Sequence, residues 1–258
     1  MPPIADPTCT TPELSIVVPA LNEQDNIGHL VKQVLEQVIE AAGIAAELIV
    51  VDDGSTDQTA ARLAELAAQH GWLRPLRHPQ PMGQSAAMRT GIQSAHGRFI
   101  ATLDADLQND PTDLPRMLEA LLDDRVDLVQ GDRSQNRQDQ AIRVVGSWVG
   151  RAVRRTLLGD QVRDTGCSIR IMRAPLARKL PLQFSGMHRF IPFYARILGA
   201  GIVQVPVNHR PRVAGQTKYG WGIRTRGLSG LCDCLAVRWM HKRYRDPAAC
   251  PIERRRTS

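Results

Sequence analysis

Phe99-Ile100-Ala101-Thr102-Leu103-Asp104-Ala105-Asp106-Leu107-Gln108 is a short apolar run that delivers two carboxylates and a carboxamide at a spacing of two. In an extended or sharply turning segment that period puts Asp104, Asp106 and Gln108 on one side, where three oxygen ligands can converge on a hard cation. Such a cation would bridge to a diphosphate. With 18 Asp among 258 residues, this spacing arises about once by chance. On its own the pair is equally a polar turn closing a strand, and the segments around it decide.

Towards the N-terminus the same pattern recurs. Leu14 to Pro19 reads as a buried parallel strand followed by Ala20-Leu21-Asn22-Glu23, and Ile27, Leu30, Val31, Val34, Leu35, Val38 and Ile39 then recur at helical spacing up to Gly43. Leu48 to Val51 forms a second strand, Asp52-Asp53-Gly54-Ser55-Thr56-Asp57 a loop, and Thr59 to His70 a helix. A third unit runs from Leu73 to Leu76, through Pro81-Met82-Gly83-Gln84, into a small-residue helix ending near Ala95. After the central pair, Pro111 opens a helix expected over Thr112 to Asp123, and Asp127 to Gln130 gives a fifth strand ending at Gly131-Asp132-Arg133.

Strand-helix alternation of this length predicts an α/β domain, a Rossmann-like, mostly parallel sheet with helices on both faces. Ligands of such sheets sit beyond the carboxyl ends of the strands. Pro19 to Glu23, Asp52 to Asp57, Asp104 to Gln108 and Arg133 all fall there, which lifts the central pair above chance. No G-x-G-x-x-G follows the first strand and there is no G-x-x-x-x-G-K, so the strand ends offer carboxylates in place of a glycine-rich phosphate cradle. Asp52 is placed to accept hydrogen bonds from a ribose or a base. Its loop reads equally as a capped helix start with a glycine turn.

Composition narrows the partners. Lys and Arg outnumber Asp and Glu by 33 to 26, a net charge of +7, which favours phosphorylated substrates, polyanions or an anionic membrane surface. Nucleic acid is disfavoured. The arginines are interleaved with apolar helix faces, and only four Phe, four Trp and three Tyr are available for base stacking. Five cysteines without a C-x-x-C or a His-partnered spacing indicate neither disulfides nor structural zinc and fit a reducing cytosol. The sequence shows no basic-then-apolar leader and no apolar run near the roughly 18 residues of a spanning helix. A membrane would be met from one face.

Two stripes are basic and amphipathic. Ile142, Val145, Trp148, Val149, Val153 and Leu157 lie among Arg143, Arg151, Arg154 and Arg155, and Leu228, Leu231, Cys232, Leu235 and Trp239 lie near Arg226, Arg238, Lys242 and Arg243. Each either packs on the core with a solvated charged face or contacts the headgroups of an anionic bilayer. The expected organisation is a loose tail over 1–13, a catalytic α/β domain over 14–225, a basic amphipathic helix over 226–245 and a basic tail over 246–258.

Val18-Pro19-Ala20-Leu21-Asn22-Glu23, Val51 to Asp57, Asp104 to Gln108 and Gly131-Asp132-Arg133, in this order and spacing, resemble a family-2 glycosyltransferase of the GT-A fold. Asp164-Thr165-Gly166-Cys167-Ser168-Ile169-Arg170, Gly186 to Pro192 and His209 to Tyr219 are similar to the dolichyl-phosphate mannose synthase branch and its bacterial undecaprenyl-phosphate sugar transferase relatives. The likeness spans about residues 14 to 245 and is specific in combination. It implies inverting, metal-dependent transfer of a sugar from a nucleoside diphosphate, UDP or GDP, to a polyprenyl phosphate, by a protein peripheral to the cytoplasmic face of the membrane.

The resemblance also implies roles. Pro19, Leu21, Glu23, Val50 and Asp52 would contact the nucleoside, Asp104, Asp106 and Gln108 would hold Mg²⁺ or Mn²⁺, and Ala105 would lend backbone to the donor. Arg133, Arg212 and Lys218 match basic positions that bind donor and acceptor phosphates. Leu21 replaces a frequent Tyr, and no multi-span apolar stretch follows Tyr244 in this sequence. Two alternatives stand beside this reading: a glycosyltransferase with a soluble or polysaccharide acceptor, and a non-catalytic nucleotide-sugar sensor. The second leaves the carboxylate triplet unexplained.

Overall fold

A computed structural model describes residues 11–134, 154–210 and 223–245. The two tails beyond it, most of the first basic stripe, Arg212 and Lys218 lie outside the described residues. The five expected strands are present as β1 (Leu14–Ala20), β2 (Ala46–Asp52), β3 (Leu73–Arg77), β4 (Phe99–Thr102) and β5 (Leu128–Asp132). The helices between them are α1 (Gln24–Val34), α2 (Thr59–Gln69), α3 (Gln84–Ser94) and α4 (Leu114–Glu119). Helix α1 continues as a π-helix over Leu35–Glu40, and Gly43 follows in the left-handed region at φ 64°.

Periodicity alone misses some features. The helix expected over Thr112 to Asp123 is three short pieces, with α4 flanked by 3₁₀ turns at Pro111–Asp113 and Ala120–Leu122. Pro111 and Pro115 each lack an N–H, so the chain starts a helix twice rather than once. Two further strands, β6 (Arg170–Arg173) and β7 (Ile202–Pro206), were not expected. Between and after them lie α5 (Ala174–Lys179), a 3₁₀ turn at Met187–Phe190, α6 (Ile191–Ile197) and α7 (Ile223–Arg243).

The seven strands form one sheet in the order β3-β2-β1-β4-β6-β5-β7. All pairings are parallel except those of β6, which runs antiparallel to both β4 and β5. Alternation along β1 divides the core. Ile16 and Val18 face the layer of α1, α2 and α4 with Ile27, Leu63 and Met117, while Val17 faces the layer of α3, α6 and α7 with Met88, Phe193 and Val237. Helix α3 sits close on the sheet because Gly91 has no side chain: a Cβ there would lie 2.4 Å from Val17 Cγ1. That close approach fixes where the N-terminus of α3 meets the strand ends.

Candidate active site

In this strand order β1 lies between β2 and β4, so the connections reverse direction beside it. A parallel sheet opens a crevice at such a switch point, because loops on either side leave in opposite directions. The cleft found there is lined by Pro19, Ala20, Leu21 and Glu23 after β1, by Asp53 after β2, by Gly83 and Gln84 at the start of α3, and by Asp104, Ala105 and Asp106 after β4.

The first three loops brace one another. Asn22, left-handed at φ 51°, donates its N–H to Ser55 Oγ at 2.8 Å and accepts from the Thr56 N–H at 2.8 Å. The Glu23 N–H donates to Thr59 Oγ1 at 2.9 Å, and Asp57 Oδ1 accepts from the Thr59 N–H at the start of α2 at 2.9 Å. Gly54, at φ 74°, is required on two counts: its conformation is left-handed, and a Cβ would lie 2.6 Å from the Gln80 carbonyl carbon. Asp53 then holds the third loop, accepting from the Met82 and Gly83 N–H groups at 2.8 and 2.7 Å, with His78 Nδ1 at 2.7 Å. Much of the Asp52 to Asp57 motif is therefore scaffold.

Asp52 itself is 1% exposed and is not among the lining residues. Its Oδ1 accepts from the Ser55 N–H at 2.9 Å, and its Oδ2 lies 3.2 Å from Arg77 Nε. Val50 is fully buried in the apolar layer with Ile16 and Val18, and the structure does not bring it to the cleft. Pro19, Leu21, Glu23, Asp104, Ala105 and Asp106 are brought together there, and Gln108 is not among the lining residues.

The central stretch is a turn after β4. Leu103, Ala105 and Leu107 are buried while Asp104, Asp106 and Gln108 keep partial exposure, so the period of two survives as a pattern of burial. Leu107 adopts φ 61°, a conformation costing a branched side chain about 1–2 kcal/mol. The turn is thereby held rather than relaxed, and the Gln108 N–H donates to Asp106 Oδ1 at 3.2 Å. Gln84, in the first turn of α3, donates Nε2–H to Asp104 Oδ1 at 2.9 Å.

Electrostatics single out Asp104. Burial pushes its pKa up, and the charge of Asp106 pushes it further; the Ser168 hydrogen bond and the charges of Arg170 and Arg133 offset only part of this. Two carboxylates that repel each other in a partly desolvated cleft favour a cation between them, which fits a divalent ion. Their donor set is oxygen only, and a hard ion completes its shell with phosphate and water oxygens. The nearby cations are fixed. Arg133 forks onto Asp164, with Nε to Oδ2 at 2.8 Å and Nη2 to Oδ1 at 3.2 Å; burial opposes its charge, but the Asp164 carboxylate holds its pKa above the usual value.

Arg170, 2% exposed, donates to the carbonyls of His188, at 3.0 Å, and Cys167. His188 Nδ1 lies 2.8 Å from Ser85 Oγ in the first turn of α3. Burial, with Arg189 and Arg170 nearby, lowers its pKa to about 3, so it is a neutral strut at ordinary pH. Asp164 and Arg170 stand in the sequence only within motifs, and nothing local there marks Gln84. The Arg133–Asp164 pair spans 31 positions, too far for any local periodicity to show.

With this geometry in view, the class is an α/β protein with an acidic crevice at its switch point. The glycosyl transferase family 2 model matches residues 15–182, and the chain belongs to that family. A curated relative, the dodecaprenyl-phosphate galacturonate synthase of Rhizobium johnstonii, is 38% identical over 228 residues, covering 87% of this chain and 66% of its own length. The chain thus spans about two thirds of that relative.

Solved structures agree on the fold. The glucosyl-3-phosphoglycerate synthase of Mycobacterium tuberculosis, in complex with Mg²⁺ and UDP, aligns with a TM-score of 0.65 at 21% identity, covering 88% of this chain and 79% of its own. A mannosyltransferase of Pyrobaculum calidifontis, in complex with GDP-mannose and Mn²⁺, aligns with a TM-score of 0.57 at 20% identity, covering 78% and 56%.

Proposed function

We propose that this protein transfers a sugar from UDP or GDP to the phosphate of a polyprenyl lipid, with inversion at the anomeric carbon, at the cytoplasmic surface of a membrane. The observation that carries the donor half is the mutually repelling Asp104–Asp106 pair at the switch-point cleft, with the charges of Arg170 and Arg133 near enough to act on Asp104. The 38% identical relative, whose name is that of a dodecaprenyl-phosphate sugar synthase, supports the acceptor half.

In this reading Pro19, Leu21 and Glu23 pack against the nucleoside, Asp52 supports the loop beneath it, and the Ala105 backbone meets the donor. Asp104 and Asp106 would hold Mg²⁺ or Mn²⁺, with Gln108 as a third ligand, and the ion would neutralise charge growing on the departing diphosphate. The acceptor phosphate is largely ionised near neutral pH, its second pKa being about 6, so it needs positioning rather than a strong base. Its oxygen attacks the anomeric carbon while the bond from that carbon to the diphosphate breaks.

Arg133 supplies a stationary positive charge, because Asp164 holds two of its donors and fixes the plane of the guanidinium. Arg212 and Lys218 would complete the phosphate contacts. The test incubates purified protein with Mg²⁺ or Mn²⁺, a short-chain polyprenyl phosphate and a panel of UDP- and GDP-sugars, and looks for a lipid-linked sugar by mass spectrometry. Product with one donor is expected; no product from any pair, with folded protein, overturns the reading.

A further inference from the structure

Helix α7 has two apolar faces, and only one of them is used. Cys234 and Val237 are buried and Met240 half-buried against the second core layer. The Tyr194 hydroxyl donates to Met240 Sδ at 3.4 Å, and the His241 ring stands edge-on to Phe193 at 5.5 Å. Leu231, Leu235 and Trp239 recur every four residues and are 40%, 50% and 59% exposed. At about 100° per residue the mean directions of the two sets differ by roughly 160°. The sequence stripe that included Leu231, Leu235 and Trp239 therefore points away from the core, and the helix is anchored without it.

Cations border this outer stripe. Arg238, Lys242, Arg243 and Arg245 are all exposed, and the Arg243 guanidinium lies 4.6 Å from the centroid of the Trp239 ring. The one acidic residue of the helix, Asp233, turns inward: its Oδ2 lies 3.6 Å from where a Cβ on Gly186 would be. We propose that the outer face of α7 docks on an anionic bilayer, with Leu231, Leu235 and Trp239 at the acyl boundary and Arg238, Lys242 and Arg243 among the headgroups.

The chemistry fits a lipid surface better than a second copy of the chain. A two-fold contact through this stripe would bring its arginines and lysine against themselves, whereas anionic headgroups neutralise them. An amphipathic ring with a cation over its face suits the headgroup level, where one side is apolar and the other wet. Among the described residues no helix is long and apolar enough to cross a membrane, so docking would be along a helix face. The placement is also useful. Asp233 packs beside Gly186, the turn that follows carries His188, His188 meets Ser85, and the neighbouring Gln84 reaches Asp104.

This inference rests on the polyprenyl-phosphate reading, yet its test is separable from it. The full chain is sedimented with phosphatidylcholine vesicles with and without phosphatidylglycerol, alongside Leu235→Glu, Trp239→Glu and an Arg238→Glu/Lys242→Glu double variant. Circular dichroism melts check folding, and transfer to a short water-soluble prenyl phosphate is measured in parallel. Wild type should bind the anionic vesicles and release in high salt, and each variant should bind at least about tenfold more weakly with soluble-acceptor transfer unchanged. Equal binding by folded variants, no preference for anionic vesicles, or a change confined to the mass in solution, which would make a second copy the occupant, overturns the proposal. Loss of vesicle binding without transfer to any acceptor would sink the sugar-transfer reading and leave the docking face standing.

Discussion

The two ends of the sheet carry carboxylates in opposite conditions. At the amino ends of β1 and β2, Glu47 is saturated: the Ser15 hydroxyl donates at 2.6 Å, the His96 N–H at 2.7 Å and Arg74 Nη1 at 2.6 Å. The Gly97 N–H closes the ring onto Ser15 Oγ at 2.8 Å, and a Cβ on Gly97 would lie 2.6 Å from the Ser15 nitrogen. Burial alone would raise the pKa of Glu47, but these donors bring it below the ordinary value. At the carboxyl ends Asp104 has its pKa raised by burial and by Asp106. One end is complete and holds the strands together; at the other, burial and a neighbouring carboxylate oppose the charge of Asp104.

The largest effect should come from Asp106→Asn. Removing one carboxylate takes away the partner with which Asp104 would grip a divalent ion, and transfer should fall by about a thousandfold or more. The same change also removes repulsion, so the melting temperature of the metal-free protein should hold or rise. Activity and thermal unfolding measured on one preparation check both halves. A fall in stability matching the fall in activity would erase the contrast between the two ends.

Glu47→Ala is the mirror experiment. It strips the acceptor from Ser15, the His96 N–H and Arg74 at once, and should cost about 2–3 kcal/mol of stability. Nucleotide affinity of the folded fraction should not change, as calorimetry with UDP or GDP would show. The sign of the pH dependence follows from the lowered pKa. In the unfolded chain Glu47 takes up its proton at a higher pH than in the folded one, so its contribution is full above the ordinary glutamate value of 4.5 and fades as pH falls through the lower folded value. Urea unfolding between neutral and acid pH should lose stability in that window, and Glu47→Gln should flatten the loss.

The contrast also shows what a sequence can disclose. The strand-loop-helix repeats were legible because buried parallel strands are continuous apolar runs and helices repeat at 3.6. Asp104 and Asp106 were legible because they follow such a run directly. Strand β6 was not, since Arg170-Ile171-Met172-Arg173 has no period of its own and owes its place to antiparallel pairing on both sides. The grip of Asp164 on Arg133 and the inward turn of Cys234 and Val237 depend equally on packing between distant segments. Depth cannot be read from place at a strand end: Asp52 is 1% exposed, while Asp53, one residue on, lines the cleft.

The smallest effect should come from Gln84→Ala, and its size tests how far the open end is tuned. Gln84 donates one neutral hydrogen bond to Asp104 Oδ1, worth about 0.5–1.5 kcal/mol. Without it the carboxylate loses a donor that favours its charged form, so holding a cation between Asp104 and Asp106 becomes harder. Mn²⁺-dependent nucleotide affinity should weaken by about two- to tenfold, while the melting temperature stays within a degree or two because the cleft opens to water that can replace the amide. A Gln84→Glu change would place a third carboxylate beside the pair and should raise the repulsion instead. If it binds Mn²⁺ and nucleotide as wild type does, the charge balance of the cleft is not set by the first turn of α3, and the asymmetry between the ends rests on Asp104 and Asp106 alone.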